Sequence, residues 1–190
     1  ASDVGHLVRG SAGGPAVNGS GVDLVDPVDP VDPGRFRTAF GRFATGVSVV
    51  TCLVDGSDHA MTANSLTSVS LAPPLVLVCV ERETRFHEAI LTAGHWGVSV
   101  LGAQARGAAA WFATRGRPLA GQLDPVAHHR SSLTGVALLD DALAWFEVRT
   151  TAVYDGGDHS IVVGEVVALS LAEEPPAALT FFRGQYGHLD

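Results

Sequence analysis

Lysine is absent from this chain: all 12 basic residues are arginines, set against 20 acidic residues for a formal net charge of −8. Without lysine there is no amine for a Schiff base and no Walker-type phosphate lysine. The acidic balance argues against nucleic acid as a partner, because basic side chains on phosphates supply most of that affinity. Cysteine is scarce as well. Cys52 and Cys79 both sit in apolar, strand-like runs with no CxxC or Cys/His spacing around them, so buried free thiols are expected ahead of a disulfide or metal site. Also missing are an apolar run of about 18 residues and an N-terminal charged region followed by an apolar one. Neither a membrane span nor a signal peptide is expected, and the expected location is the cytoplasm. No Ser/His/Asp or paired-carboxylate constellation stands out either.

What is present is a chain of 190 residues, 46% hydrophobic, long enough for one domain with a sizeable core. Its most informative stretch runs from Ala60 to Glu88. From Ala60 to Leu71, Thr62, Asn64, Ser65, Thr67, Ser68 and Ser70 put hydroxyls and an amide on both faces of a segment with strand propensity. A strand that only filled a core would not carry them. After the Pro73-Pro74 turn, Leu75 to Val80 reads as a strand buried on both faces, which delivers the chain to Glu81-Arg82-Glu83-Thr84-Arg85 and a helix start. The whole suits a ligand that is flat, polar at its edges and anionic at one end.

Residues 1–33 form an extended Pro/Gly-rich N-terminal tail containing the repeat Val25 to Pro33, in which each proline forces extended backbone and removes an amide donor. It is either a free tail or a segment laid along a surface or a partner subunit. The domain occupies 34–190. Phe36, Phe40 and Phe43 mark a short amphipathic helix over Arg35 to Phe43, and Gly46 to Leu53 reads as a strand that turns through Asp55-Gly56-Ser57-Asp58 into the polar segment. Thr84 to Ala93 and Gln104 to Ala113 look helical, Trp96 to Leu101 looks like a strand, and Arg115 to Arg130 reads as a long loop. Leu143 to Tyr154 and Ser160 to Leu171 form a hairpin about Asp155-Gly156-Gly157-Asp158, and a short strand lies near Leu179 to Phe182. Roughly six or seven strands with two or three short helices and few βαβ units point to a closed antiparallel barrel. The pair His128-His129 lacks a third ligand at suitable spacing, so no metal is expected. His6, His59, His87, His95 and His188 read as surface or capping groups.

Five collinear segments carry a resemblance: Phe43 to Thr51, Met61 to Ser70, Pro73 to Val80, Gly157 to Glu165 and Phe182 to Tyr186. Together they resemble the short-chain flavin reductases, the FMN-binding split-barrel proteins that supply reduced flavin to two-component monooxygenases. The resemblance covers about Arg35 to Leu189. It implies a mainly β fold, a split β-barrel of antiparallel Greek-key type with two or three flanking helices, and a homodimer that buries one sheet face against its twin. It implies an NAD(P)H:flavin oxidoreductase using FMN or FAD with NADH or NADPH and passing reduced flavin to a partner monooxygenase. By the same resemblance Thr62, Ala63, Asn64 and Ser65 would lie along the isoalloxazine and ribityl chain, and Cys79 and Val80 would flank the ring. Thr84 and Arg85, with Ser68, would meet the phosphate; His159 would sit beside the nicotinamide, with Asp158 open as a turn acid. Tyr186 would close the pocket or serve as a chain-end core ring, and side chains near Trp111 and Phe112 would approach the flavin. One departure is visible: Gly121-Gln122-Leu123-Asp124 stands where many relatives carry a charged residue followed by phenylalanine. Two other functions stay open, a split-barrel oxidoreductase with tightly bound flavin and a non-catalytic flavin-binding module.

Overall fold

The computed structural model describes residues 29–174 and 176–190, so most of the expected tail, residues 1–28, lies outside the described residues. The last unit of the Val-Asp-Pro repeat is not extended throughout. Asp32 accepts a 2.8 Å hydrogen bond from the Arg35 amide, and Pro33 opens helix α1 (Pro33–Phe40). A carboxylate cap followed by proline is a favoured helix start, since proline lacks an amide that would be unbonded there anyway. The helix ends at Phe40, short of the expected Phe43, and a separate compact unit begins at Gly41.

This second unit is mainly β. Its first strands are β1 (Thr45–Gly46), β2 (Ser48–Val54), β3 (Ser57–Ala63), β4 (Thr67–Leu71) and β5 (Pro74–Glu81). Helix α2 (Arg85–Ala93), β6 (His95–Leu101), a 3-10 turn (Ala103–Ala105) and α3 (Arg106–Ala113) follow. The chain then forms β7 (His128–Arg130), β8 (Ala137–Leu139), β9 (Ala142–Gly156), β10 (His159–Leu171), β11 (Ala178–Phe182) and β12 (Gln185–Leu189). Seven strands make one antiparallel sheet in the order β3-β2-β6-β9-β10-β5-β4, while β1-β11-β12 and β7-β8 form small sheets beside it.

That order explains the barrel. The strands at its two ends, β3 and β4, are consecutive in sequence, joined only by Asn64, Ser65 and Leu66. Four Cα steps span at most about 14 Å, so the sheet must curl until its edges face one another. The result is a split barrel, open along one seam. It also corrects the sequence reading of one strand from Ala60 to Leu71: the segment is two strands on opposite edges. The break is stitched by Ser65, whose Oγ accepts from the Cys79 amide at 3.1 Å and donates to the Cys79 carbonyl at 3.2 Å, a side chain replacing a ladder rung.

Inside the barrel Val50, Val78, Val80, Trp96, Val98, Val148 and Val162 are fully buried, with Phe86, Ala89 and Ile90 of α2 packed on them. A second cluster, including Val49, Leu101, Ala109, Phe112, Leu139 and Leu179, fills the space between the outer sheet face and α3. Strand β5 was expected to be buried on both faces. Instead Val76, Val78 and Val80 point inward while Leu75, Leu77 and Cys79 are only half-buried, their outer face left partly uncovered by the described residues. Strands β7, β8 and β12 were not foreseen; each has at most five residues and depends on its pairing partner.

Candidate active site

A cavity of about 430 Å³ opens between β3, the end of β5 and the end of α3. One wall is β3 from His59 to Thr62, a second is the end of β5 and the turn into α2 (Glu81, Glu83, Thr84, Arg85, Phe86), and the third is the end of α3 and its following loop. Thr84 makes the second wall. Its backbone is extended at the N-cap of α2 (φ −88°, ψ 146°), and its Oγ1 and amide both donate to the Glu81 carbonyl, at 2.8 and 3.1 Å. Arg85 then opens the helix, where the dipole favours anions. At the far end Gly94, with φ +69°, supplies the left-handed stop that a residue with a Cβ adopts at a cost.

The third wall is held by Arg117. Its Nη1 donates to the carbonyls of Phe112 (2.9 Å) and Thr114 (3.0 Å), its Nη2 to Ala60 O, and Nε and Nη2 to Gln122 Oε1 at 3.3 and 3.2 Å. Gln122 in turn donates to Asp58 O and accepts from Trp111 Nε1 at 2.8 Å. Gly121 to Asp124 thus knits the loop to β3. Burial first, then the neighbouring Arg85 guanidinium, lower the pKa of Arg117 below the ordinary arginine value. Burial and Arg85 also lower the pKa of His59 from 6.5, against an opposing pull from Asp58. At neutral pH the cavity's positive charge therefore comes from arginine.

The structure brings Thr62, Thr84 and Arg85 to the cavity. Thr62 Oγ1 donates to Ala109 O at 2.7 Å, so its hydroxyl ties β3 to α3. Ala63 is buried and Asn64 exposed at the seam, and Ser65 joins Cys79 there. Val80 is 0% exposed: its side chain lies in the barrel core behind the seam and cannot flank a ring. Ser68 pairs with Val76, five positions before Glu81 along β5. At ~3.3 Å per residue that is about 17 Å, and Ser68 is not among the residues that line the cavity with Thr84 and Arg85. Tyr186 packs edge-on to Phe181 at 5.4 Å with the Arg106 guanidinium 6.0 Å from its ring, in the outer cluster and away from the cavity.

His159 begins β10 directly opposite Glu81 of β5. Its Nδ1 lies 2.7 Å from Asp158 Oδ1, and that hydrogen bond, with the charge attraction, holds the Asp158 carboxyl below its usual range. Arg82 fixes the hairpin, donating from Nε to Gly157 O and His159 O and from Nη2 to Asp155 at 2.8 Å. The turn is thus anchored, but His159 is not among the residues that line the cavity; Glu81, its partner across the strands, is. Cys52 and Cys79 are free thiols; burial, helped by Asp58, pushes Cys52 up to about 12, and burial also raises Cys79, so neither suits nucleophilic work at neutral pH. His129 pairs with Asp140 at 2.8 Å and His128 faces Val126 O at 2.8 Å. Sequence reasoning missed Arg115, Arg117, Glu81 and His59 as cavity residues. The available signal was Arg115-Gly116-Arg117, two of only 12 basic residues set beside an aromatic helix end.

A split barrel with an arginine-lined cleft between β3, the start of α2 and the end of α3 is suited to an anionic ligand. The family model described as flavin reductase like domain matches residues 40–190. An NADH-dependent FAD reductase of Streptomyces globisporus is 44% identical over 135 residues, 70% of this chain and 73% of that protein. The solved structure of BorF, the flavin reductase component of a bacterial two-component tryptophan halogenase, is 46% identical with a TM-score of 0.79, covering 83% of this chain and 98% of that one. The Streptomyces globisporus NADH:FAD oxidoreductase SgcE6, in complex with NAD and FAD fragments, gives a TM-score of 0.80 at 36% identity, covering 87% of this chain and 98% of its own. The chain belongs to the family of flavin reductase like domains.

Proposed function

We propose that this chain is an NAD(P)H:flavin oxidoreductase that takes FMN or FAD as an exchangeable substrate and delivers reduced flavin to a separate monooxygenase. The cavity carries the reading: Phe86 and Phe112 give it apolar lining, Thr62 a small polar wall, and Thr84 and Arg85 a place for an anion at the start of α2. The printed activities of its relatives, NADH-dependent FAD reductase and halogenase reductase component, support the same assignment.

Hydride transfer from nicotinamide to flavin is chemistry the two nucleotides supply. The protein's part is to hold them. Thr62 to Ser65 run along the ring and ribityl chain, the Cys79 main chain backs the seam, Thr84 and Arg85 hold the phosphate, and His159 orients the nicotinamide. Ser68 and Tyr186 are left out of this set because of their positions. Purified protein mixed with NADH or NADPH and free FMN or FAD should consume the nicotinamide only when flavin is added; no flavin-dependent loss with either nucleotide would sink the proposal. In that assay His159→Ala should raise the nicotinamide KM about tenfold, the worth of one good hydrogen bond, and leave flavin affinity unchanged. An equal change in both would remove His159 from this role.

The active form is a homodimer. Leu71 on β4 is 90% exposed, Leu169 and Leu171 on β10 are 63% and 69% exposed, and together with the half-buried outer face of β5 they leave an apolar surface that a second copy would cover. Sedimentation at working concentration reads this directly, and a species of single-chain mass would refute it. No helix among the described residues is long and apolar enough to cross a membrane. A cytoplasmic location goes with this reading and is supported by the free thiols of Cys52 and Cys79; fractionation of the host cell checks it.

A further inference from the structure

The cavity mouth contains a charge pair that flavin binding does not require. Glu81 is the last residue of β5, and Nη2 of Arg115 donates to both of its carboxylate oxygens, at 2.8 and 2.6 Å. Both residues line the cavity, as do Arg85 and Glu83. Their supports are fixed. Glu81 is held in register opposite His159, and the neighbouring Arg82 clamps the 155–159 turn. Arg115 stands two residues from Arg117, which anchors its loop to β3. Between these supports the more exposed partner is the Arg115 side chain, 75% exposed, whereas Glu81 is 31% exposed.

We propose that Glu81 is a built-in competitor for the anionic group of the flavin nucleotide. In the free chain it occupies Arg115. A phosphate that recruits Arg115 must first displace the carboxylate from it. The inference rests on the flavin reading above and deepens it: Glu81 sets affinity low enough for the nucleotide to leave after reduction, as a reductase that exports its product needs. Arg115 and Glu81 are both partly solvated, and ion pairs of that kind are individually weak, so the effect is several-fold rather than orders of magnitude.

The test compares the full chain with Glu81→Gln, Arg115→Ala and the double variant, each titrated with FMN and with riboflavin, which keeps the ring and ribityl chain but lacks the phosphate. Glu81→Gln should tighten FMN about three- to fivefold and leave riboflavin unchanged. In the Arg115→Ala background the same change should lose most of its effect. If Glu81→Gln fails to fold, Glu81→Thr, neutral and of high strand propensity, carries the same comparison. Unchanged or weakened FMN binding, or an equal shift for riboflavin, overturns the competitor role while leaving the flavin reading intact. A wild-type chain that binds neither flavin overturns that reading and the competitor role with it.

Discussion

Arg117→Ala is expected to lower stability by about 2–4 kcal/mol and to remove most flavin reduction, although Arg117 need not touch flavin. Hydrogen bonds to charged groups are worth about 1.5–3 kcal/mol each, and an acceptor left dry costs about 1–3 kcal/mol. Arg117 serves the carbonyls of Phe112, Thr114 and Ala60 and the amide oxygen of Gln122. Water replaces part of this network where the loop is exposed, which keeps the expected cost below the sum. The partners are oxygens of neutral groups, and burial already lowers the guanidinium's pKa, so the charge is retained through its full set of acceptors. Arg117→Lys should therefore rescue little, because a single ammonium lacks the planar fork that reaches several carbonyls at once. Denaturant midpoints together with flavin-dependent rates check this. Full rescue by lysine would show that charge alone matters, contrary to the role given to the fork.

Gly164→Val should destabilise the barrel by about 3 kcal/mol, the upper end for overpacking a tight core. A Cβ at Gly164 would lie 2.4 Å from Val148 Cγ1, 2.8 Å from Arg149 O and 3.1 Å from Trp96 Cζ2. Val148 and Trp96 are both 0% exposed, so neither can move aside without opening the core. The β9–β10 register also shifts between Val163 and Gly164. The extra atoms press on that irregularity and, along the same strand, on the turn that carries His159. For a unit of this size each kcal/mol moves the thermal midpoint by roughly 2–4 °C, so a fall of about 6–12 °C is expected. Gly164→Ala should move it less and in the same direction. An unchanged midpoint would mean that the strands part here more easily than the packing indicates.

Much of the barrel is legible in the sequence because its long strands are valine-rich and bounded by strong turn signals. Strands β9 and β10 flank Asp155 to Asp158, and α2 is bracketed by Thr84 and Gly94. The division of the polar segment into β3 and β4 is not legible, since no proline or glycine marks it. Closure of the sheet creates it, and Ser65 masks it by bonding Cys79 as another backbone rung would. The polarity of the segment suggests a binding surface, yet Thr62 and Ser65 spend their hydroxyls on Ala109 and Cys79. Their small size leaves the seam open, and that part of the reading bears on the site.

Within the site, Thr84 and Arg85 were legible because a hydroxyl and a guanidinium at a helix start have a local meaning. Arg115 and Arg117 lie in a stretch with no periodicity, and bonds to Ala60 and Glu81 and from Arg85 to the Arg117 carbonyl, all distant in sequence, bring them to the cavity. Ser68 was misplaced for a related reason. Sequence proximity to Ser65 conceals that β4 carries the chain along the seam toward the other end of β5.

The central claim, that flavin is a substrate this protein reduces and releases, is tested most directly by anaerobic mixing of a catalytic amount of protein with NADH and excess FAD or FMN. The expected result is bleaching of many equivalents of flavin per chain, matched one for one by nicotinamide oxidation. Bleaching that stops at one equivalent per chain, or none with either nicotinamide, would contradict it.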